Sequence, residues 1–178
     1  YRFPNSHTGL PAPAFCQYKD QYFVFGGVNG SPLSEFDPKT GDFSPFPCIG
    51  TEPSIDLIRP SLVVVDEFIF LIGGDASIEY MHIFALDIKR KWWFAFHVRP
   101  DNVSLSLSDG LVNKIGLFML PREHSSSVVY SPQLRTIVSV MGSRMIDPPP
   151  IFKIEIGEAL ASVHLRSDMF EMIQPKQD

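Results

Sequence analysis

Two glycine pairs 47 residues apart most constrain the fold of this chain. After each pair comes an aspartate that is followed, six residues later, by an aromatic residue. The residues involved are Gly26, Gly27, Asp37 and Phe43 in the first copy, and Gly73, Gly74, Asp87 and Trp93 in the second. A period of this length is typical of architectures that repeat one supersecondary unit, because a single unit cannot bury its own apolar face.

Short apolar segments surround each glycine pair and predict strands. Phe68–Ile72 is continuously apolar, as expected for a strand with both faces covered. The glycine pair that follows suits a backbone that bends through positive φ. The pattern predicts two four-stranded meanders, with strands at 14–18, 22–25, 33–37 and 43–46 and at 61–65, 68–72, 80–87 and 92–98, joined by a connector at 48–60.

The second half of the chain departs from this period before returning to it. Residues 99–120 predict an inserted hairpin, and a degenerate third unit follows with Gly142 but Ser143 in place of the second glycine. Apolar residues in 157–173 have spacings compatible with a short helix, and a broken last strand is the alternative. We therefore divide the chain into an opening segment or tail of a preceding unit at 1–12, units at 13–47, 48–98 and 121–156, the insertion at 99–120 and an extension at 157–178.

The repeated unit resembles the Kelch repeat, in which a glycine pair closes the second strand and an aromatic, an acidic and a late aromatic residue follow. In this sequence Phe36 and Phe84 supply the first aromatic position, and Pro121-Arg122-Glu123-His124 is similar to the opening of many Kelch units. The resemblance covers roughly residues 13–156 and implies an all-β propeller segment of four-stranded antiparallel blades. Another four-stranded-blade propeller or an antiparallel sandwich is the alternative fold.

Composition supports a globular β-rich chain and argues against some kinds of partner. The chain has 178 residues, 44% hydrophobic and 20% charged, with a formal net charge of −5, so no overall basic field attracts nucleic acid or anionic lipid. Free Cys16 and Cys48 thiols predict a reducing compartment, and we expect a cytoplasmic protein. Three blades do not close a ring, so we expect a piece of a longer protein or completion by other chains.

The sequence offers little that indicates catalysis. None of the five histidines stands at a metal-ligand spacing, and neither a GxSxG motif nor a phosphate-binding glycine loop is present. We therefore predict no catalytic residue, no metal and no cofactor. The alternative is a ligand-binding or enzymatic propeller similar to the copper galactose oxidases, whose site requires two histidines, tyrosine ligands and a thioether-linked Cys–Tyr pair.

The resemblance implies a non-catalytic scaffold for protein–protein interactions, in a cytoskeletal or ubiquitin-ligase assembly by family analogy. Loops on a rigid scaffold are the expected contact sites. The neighbouring Trp92 and Trp93 should point to opposite faces of one strand, which leaves one of them for a partner. The candidate partner-binding residues are Trp92, Met145, Asp147, Pro148, Pro149 and Pro150, with the stretch 158–173 as a further docking element.

Overall fold

The computed structural model describes residues 13–26, 32–55, 57, 59–74, 82–98, 126–141 and 151–173. Within these ranges the protein is mostly β, with three sheets and one helix. The strands are β1 (Ala14–Tyr18), β2 (Gln21–Phe25), β3 (Leu33–Phe36), β4 (Phe43–Pro45), β5 (Ile49–Gly50), β6 (Ser61–Val65), β7 (Phe68–Ile72), β8 (His82–Asp87), β9 (Trp92–His97), β10 (Ser126–Ser131), β11 (Thr136–Met141) and β12 (Ile151–Glu155), and the helix is α1 (Gly157–Ile173).

The first sheet is an antiparallel meander in the order β1-β2-β3-β4, as the sequence pattern predicts. A two-residue turn joins β1 to β2, and its first residue, Lys19, has φ of 52°. The equivalent turn between β6 and β7 begins with Asp66, at φ of 53°. Because Lys19 and Asp66 are also 47 residues apart, the repeat extends to the backbone conformation of the first hairpin.

The second sheet contains the predicted meander β6-β7-β8-β9 and one further strand, β5, at its edge. The prediction of a plain connector over 48–60 is wrong at Ile49–Gly50, which pairs parallel to β9. The Ile49 amide donates to the Lys91 carbonyl at 2.8 Å, and the Thr51 amide donates to the Trp93 carbonyl at 3.0 Å. Two residues leave too little periodicity for a sequence pattern to indicate a strand.

The third sheet is antiparallel in the order β10-β11-β12, and α1 begins directly after its last strand. The predicted helix over residues 157–173 is therefore confirmed, and the alternative of a broken strand is not. The third unit therefore has three strands, and a helix follows where each of the first two units has a fourth strand. Leu160, Val163 and Ser167 are buried along one side of α1, at the spacing of a helix face.

The second sheet lies between the other two and is covered on both faces. Phe68, Phe70 and Ile72 pack with Ile137 of the third sheet and with α1. The alternate residues of the same strand, Ile69 and Leu71, pack on the opposite side against the first sheet. The prediction of a strand buried on both faces is confirmed, because all five residues of β7 are buried.

Strand β6, which opens the second meander, lies next to the first strand of each of the other two sheets. β1 contacts β6, and β6 also contacts β10, so the later strands of each sheet extend outwards from this common region. The described residues do not close into a ring. They form a stack of three sheets, in which one side of the first sheet and one side of the third are turned away from the second.

Candidate functional site

The two aspartates of the repeat each organise the turn that follows their strand. The Asp37 carboxylate accepts a hydrogen bond of 2.8 Å from the Lys39 amide, and the Asp37 carbonyl accepts another of 2.8 Å from the Gly41 amide. The Asp87 carboxylate accepts from the Arg90 amide at 3.0 Å and forms an ion pair with the Arg90 guanidinium at 2.9 Å. Both aspartates therefore have a structural role, since a side chain that bonds to nearby amides stabilises a turn.

Trp92 and Trp93 lie on opposite faces of β9, as the strand alternation predicts. Trp93 is buried in the cluster between the first and second sheets. Trp92 is half-buried beside the core that includes the third sheet, and its ring centroid lies 4.7 Å from that of Phe94. The Trp92 indole also lies against the backbone of Gly50, where φ is 90°. Trp92 thus contacts residues of its own chain, and its role as a partner-binding residue stays a prediction.

Helix α1 packs on the second sheet through polar and aromatic contacts. The Ser167 hydroxyl donates to the buried Asp87 carboxylate at 2.6 Å. The His164 ring meets the Phe68 ring edge to face, with centroids 4.9 Å apart, and its Nδ1 lies 3.8 Å from a Glu67 carboxylate oxygen. Arg166 lies over the Phe94 ring at 5.8 Å. The opposite side of α1 leaves Leu165 and Met169 exposed.

The outward face of the first sheet carries a row of aromatic rings. Phe15 is 54% exposed, and its ring centroid lies 6.0 Å from that of Tyr22 and 6.5 Å from that of Phe36. The Phe36 ring continues the row to Phe43, with centroids 5.0 Å apart. We call these four residues the aromatic face. Val24 and Ser34 belong to the same side of the sheet and are buried, and the Ser34 hydroxyl has no hydrogen-bond partner among the described residues.

The outward face of the third sheet carries aliphatic side chains. The strand register places Val140 beside Ile151, and it places Val129 beside Val138. Ile151 is 67% exposed and Val129 is 62% exposed, which is unusual for large apolar residues grouped on one sheet. We call these four residues the aliphatic face. The Lys153 ammonium and the Glu155 carboxylate, 3.3 Å apart, lie on the same strand as Ile151.

Two cysteines are the titratable groups of the described region whose pKa values shift most. Burial raises the pKa of the Cys16 and Cys48 thiols to about 12 each, and both cysteines are free. A thiol with such a pKa is a poor nucleophile at neutral pH, because the thiolate is the reactive form. In the described ranges no group of three or more His, Cys, Asp or Glu side chains could hold a metal ion. No helix in these ranges is both long and apolar enough to cross a membrane.

Comparison with known proteins adds no family assignment. No protein-family model and no curated protein matches the chain. The Kelch resemblance therefore stays a prediction.

The structure describes some of the predicted repeat residues, whereas other repeat residues and most partner-binding candidates lie outside its described ranges. Gly26, Gly73 and Gly74 follow the second strands, and Gly73 and Gly74 have φ of 70° and 96°. Gly27, Gly142, the insertion at 99–120, the opening segment at 1–12 and the candidates Met145, Asp147, Pro148, Pro149 and Pro150 lie outside the described residues.

The two outward faces and the Ser167 contact are the features that sequence reasoning did not identify. The sequence signal for the faces is weak, since the alternate residues Val128, Ile137 and Met141 are apolar as well. The pattern alone does not distinguish the covered face of a sheet from the open one. Ser167 carries no local signal, because its partner lies on a distant strand.

Proposed function

We propose that this chain is a non-catalytic scaffold for protein–protein interactions, built as a segment of a Kelch-type β-propeller within a larger protein or assembly. The adjacency of β1, β6 and β10 supports the proposal best, because propeller blades pack with their first strands around a common axis. The burial of β7 on both faces agrees with a blade that has a neighbour on each side.

The loops that follow the second strands are the proposed contact sites. In the sequence, β2, β7 and β11 are each followed by a segment that is predicted to be such a loop, and the segment after β11 contains Met145, Asp147 and Pro148–Pro150. A stable sheet stack lets loops vary in sequence without loss of the fold, which suits recognition of different partners. We propose protein partners in the cytoplasm, with a cytoskeletal assembly as the class that the Kelch resemblance suggests.

A capture experiment with two matched variants tests the scaffold. Pro148–Pro150 is replaced by Gly-Ser-Gly in one variant, and the exposed turn residues Gln133 and Leu134 are replaced by Gly-Ser in the control. Bound proteins are identified by quantitative mass spectrometry. We expect the loop variant to lose partners that the wild type and the control retain. An identical set of partners in all three samples would exclude the proline loop as a contact site.

A separate measurement tests the absence of catalysis. The purified protein is analysed for bound copper and assayed for oxidation of galactose and other primary alcohols. We expect no stoichiometric copper and no peroxide formation. Copper at one equivalent, together with peroxide, would favour the oxidase alternative instead.

A further inference from the structure

The third sheet has three strands where the first two units of the chain each have four. In the first sheet β4 pairs antiparallel to β3, and in the second sheet β9 pairs antiparallel to β8. The corresponding edge of the third sheet belongs to β12, and within the described ranges no strand pairs with it on the side away from β11. The first two units therefore show that an antiparallel strand is the element that fits this edge.

The register of β12 shows how its backbone groups are used. The Ile156 amide donates to the Arg135 carbonyl at 3.2 Å, directly beyond the last pair of the β11–β12 ladder. Bonded and non-bonded pairs alternate along an antiparallel ladder, so Phe152 and Ile154 also bond to β11. The same alternation turns the amides and carbonyls of the other three residues of β12 towards its outer edge.

These three residues are Ile151, Lys153 and Glu155, and their side chains are exposed as well. Ile151 is 67% exposed, and the side chains of Lys153 and Glu155 are 57% and 79% exposed. In the part of the chain that the structure describes, their outward backbone groups have no strand partner. Such an edge is a template for the backbone of another extended segment.

Helix α1 follows β12 but does not pair with its edge. The helix packs on the second sheet, where it contacts β8 and where the Ser167 hydroxyl bonds to Asp87. Its backbone groups are used within the helix, so they cannot extend a β ladder. The high exposure of Ile151, Lys153 and Glu155 shows in addition that α1 does not cover their side chains.

We infer that the edge of β12 binds an extended segment of a partner protein, which pairs antiparallel to it as a fourth strand. Directly opposite side chains interact across such a pair, so a basic residue fits opposite Glu155 and an acidic residue fits opposite Lys153. Apolar residues fit opposite Ile151, Phe152 and Ile154. In its own chain order the segment is therefore basic, apolar, acidic, apolar and apolar.

This contact goes beyond the loops of the proposed function, because pairing of the two backbones holds the partner. The ladder supplies affinity, and the charges of Lys153 and Glu155 supply the preference for one sequence over another. The ion pair between these two side chains, at 3.3 Å, is exposed, so exchanging it for contacts across the strands costs little.

Hydrogen exchange of the 178-residue chain, measured with and without a synthetic peptide, tests the inference. The probe is Gly-Gly-Arg-Val-Glu-Val-Val-Gly-Gly, and in the comparison peptide the arginine and the glutamate exchange places. Without peptide, the amides of Lys153 and Glu155 should exchange faster than those of Phe152 and Ile154, which bond to β11. The probe should slow exchange at Lys153 and Glu155, and the comparison peptide should do so only at higher concentration.

A charge-exchanged variant shows whether the side chains of β12 set this preference. Lys153→Glu combined with Glu155→Lys keeps the net charge and should reverse the preference between the two peptides, by roughly threefold in dissociation constant. The matched control is Lys39→Asp combined with Asp42→Lys, at exposed residues between β3 and β4. This control should keep the preference of the wild type.

Three results would overturn the inference. Slow exchange at Lys153 and Glu155 before peptide is added would show that the protein already pairs this edge itself. No slowing by either peptide, or equal affinity for both, would show that β12 does not recognise the segment described above. None of these results decides the proposed function, because the capture experiment with the proline-loop variant is read independently.

Discussion

The Ser167 hydroxyl donates a hydrogen bond of 2.6 Å to the buried Asp87 carboxylate, although the two residues lie 80 positions apart in the chain. The same carboxylate oxygen accepts from the Arg90 guanidinium at 2.9 Å. A turn aspartate of the repeat therefore also fixes the position of the C-terminal helix. The contact connects the part of the molecule that repeats with the part that does not.

Replacing Ser167 with alanine should destabilise the protein by about 1.5–3 kcal/mol, the usual range for a hydrogen bond to a charged group. The Asp87 carboxylate would lose one of its donors while staying buried. Urea unfolding of the wild type and the variant measures the difference. Ser139→Ala is the matched control, because the Ser139 hydroxyl is buried without a hydrogen-bond partner in the part of the chain that the structure describes. An equal loss in both variants would show that the Asp87 contact contributes nothing specific.

Replacing Gly50 with alanine should destabilise the edge of the second sheet by roughly 1–3 kcal/mol, since it combines overpacking with an unfavourable backbone conformation. The new Cβ would collide with the Trp93 carbonyl oxygen and would lie 2.7 Å from the Trp92 indole nitrogen, at a φ of 90°. The measurement is the thermal unfolding midpoint. Gly157→Ala serves as the control, because a Cβ there meets nothing within 4 Å. Similar midpoints for the two variants would contradict this account of β5.

The neighbouring tryptophans should differ in both stability and solvent access. Trp93→Ala should cost about 3–5 kcal/mol, the range for removing a large buried aromatic side chain. Trp92→Ala should cost less, because Trp92 is only partly buried. Acrylamide quenching of each single-tryptophan variant (Trp92→Phe and Trp93→Phe) checks the burial directly. We expect slower quenching when Trp93 is the remaining tryptophan, and equal quenching would contradict their placement on opposite faces.

The raised pKa of Cys16 predicts a loss of stability in alkaline solution. The folded thiol has a pKa of about 12 against an ordinary value of 9.0, so this contribution is fully present below pH 9 and is lost as pH rises towards 12. At pH 10 the loss should be on the order of 1 kcal/mol relative to pH 7. Cys16→Ala should remove this part of the pH dependence, as measured by urea unfolding at both pH values. A variant with the same alkaline loss as the wild type would assign that loss to other groups.

The regular parts of the fold can be predicted from the sequence because they repeat. The glycine pairs and the alternation of apolar residues locate the strands of two meanders, and Phe68–Ile72 indicates burial on both faces through its continuous apolar character. The spacing of Leu160 and Val163 likewise favours the helix that the structure contains. Each of these features is local, so a short window of sequence contains the whole signal.

The features of the candidate surfaces cannot be predicted from the local sequence in the same way. Strand alternation separates Phe15 from Cys16, but both are apolar, and only the packed structure shows that Cys16 faces the core while Phe15 is exposed. β5 depends on parallel pairing with a strand more than forty positions away, and the Ser167 contact depends on the docking of a helix. Neither has a propensity or period of its own that a sequence pattern could show.

Phe70 and Leu71 are consecutive residues, yet they belong to different hydrophobic cores. Because β7 supplies side chains to both cores, disorder in one core would also disrupt the strand on which the other core depends. The described sheets should therefore melt in one cooperative transition rather than one after another. We therefore expect a five-residue strand to make this repetitive architecture unfold as a single thermodynamic unit.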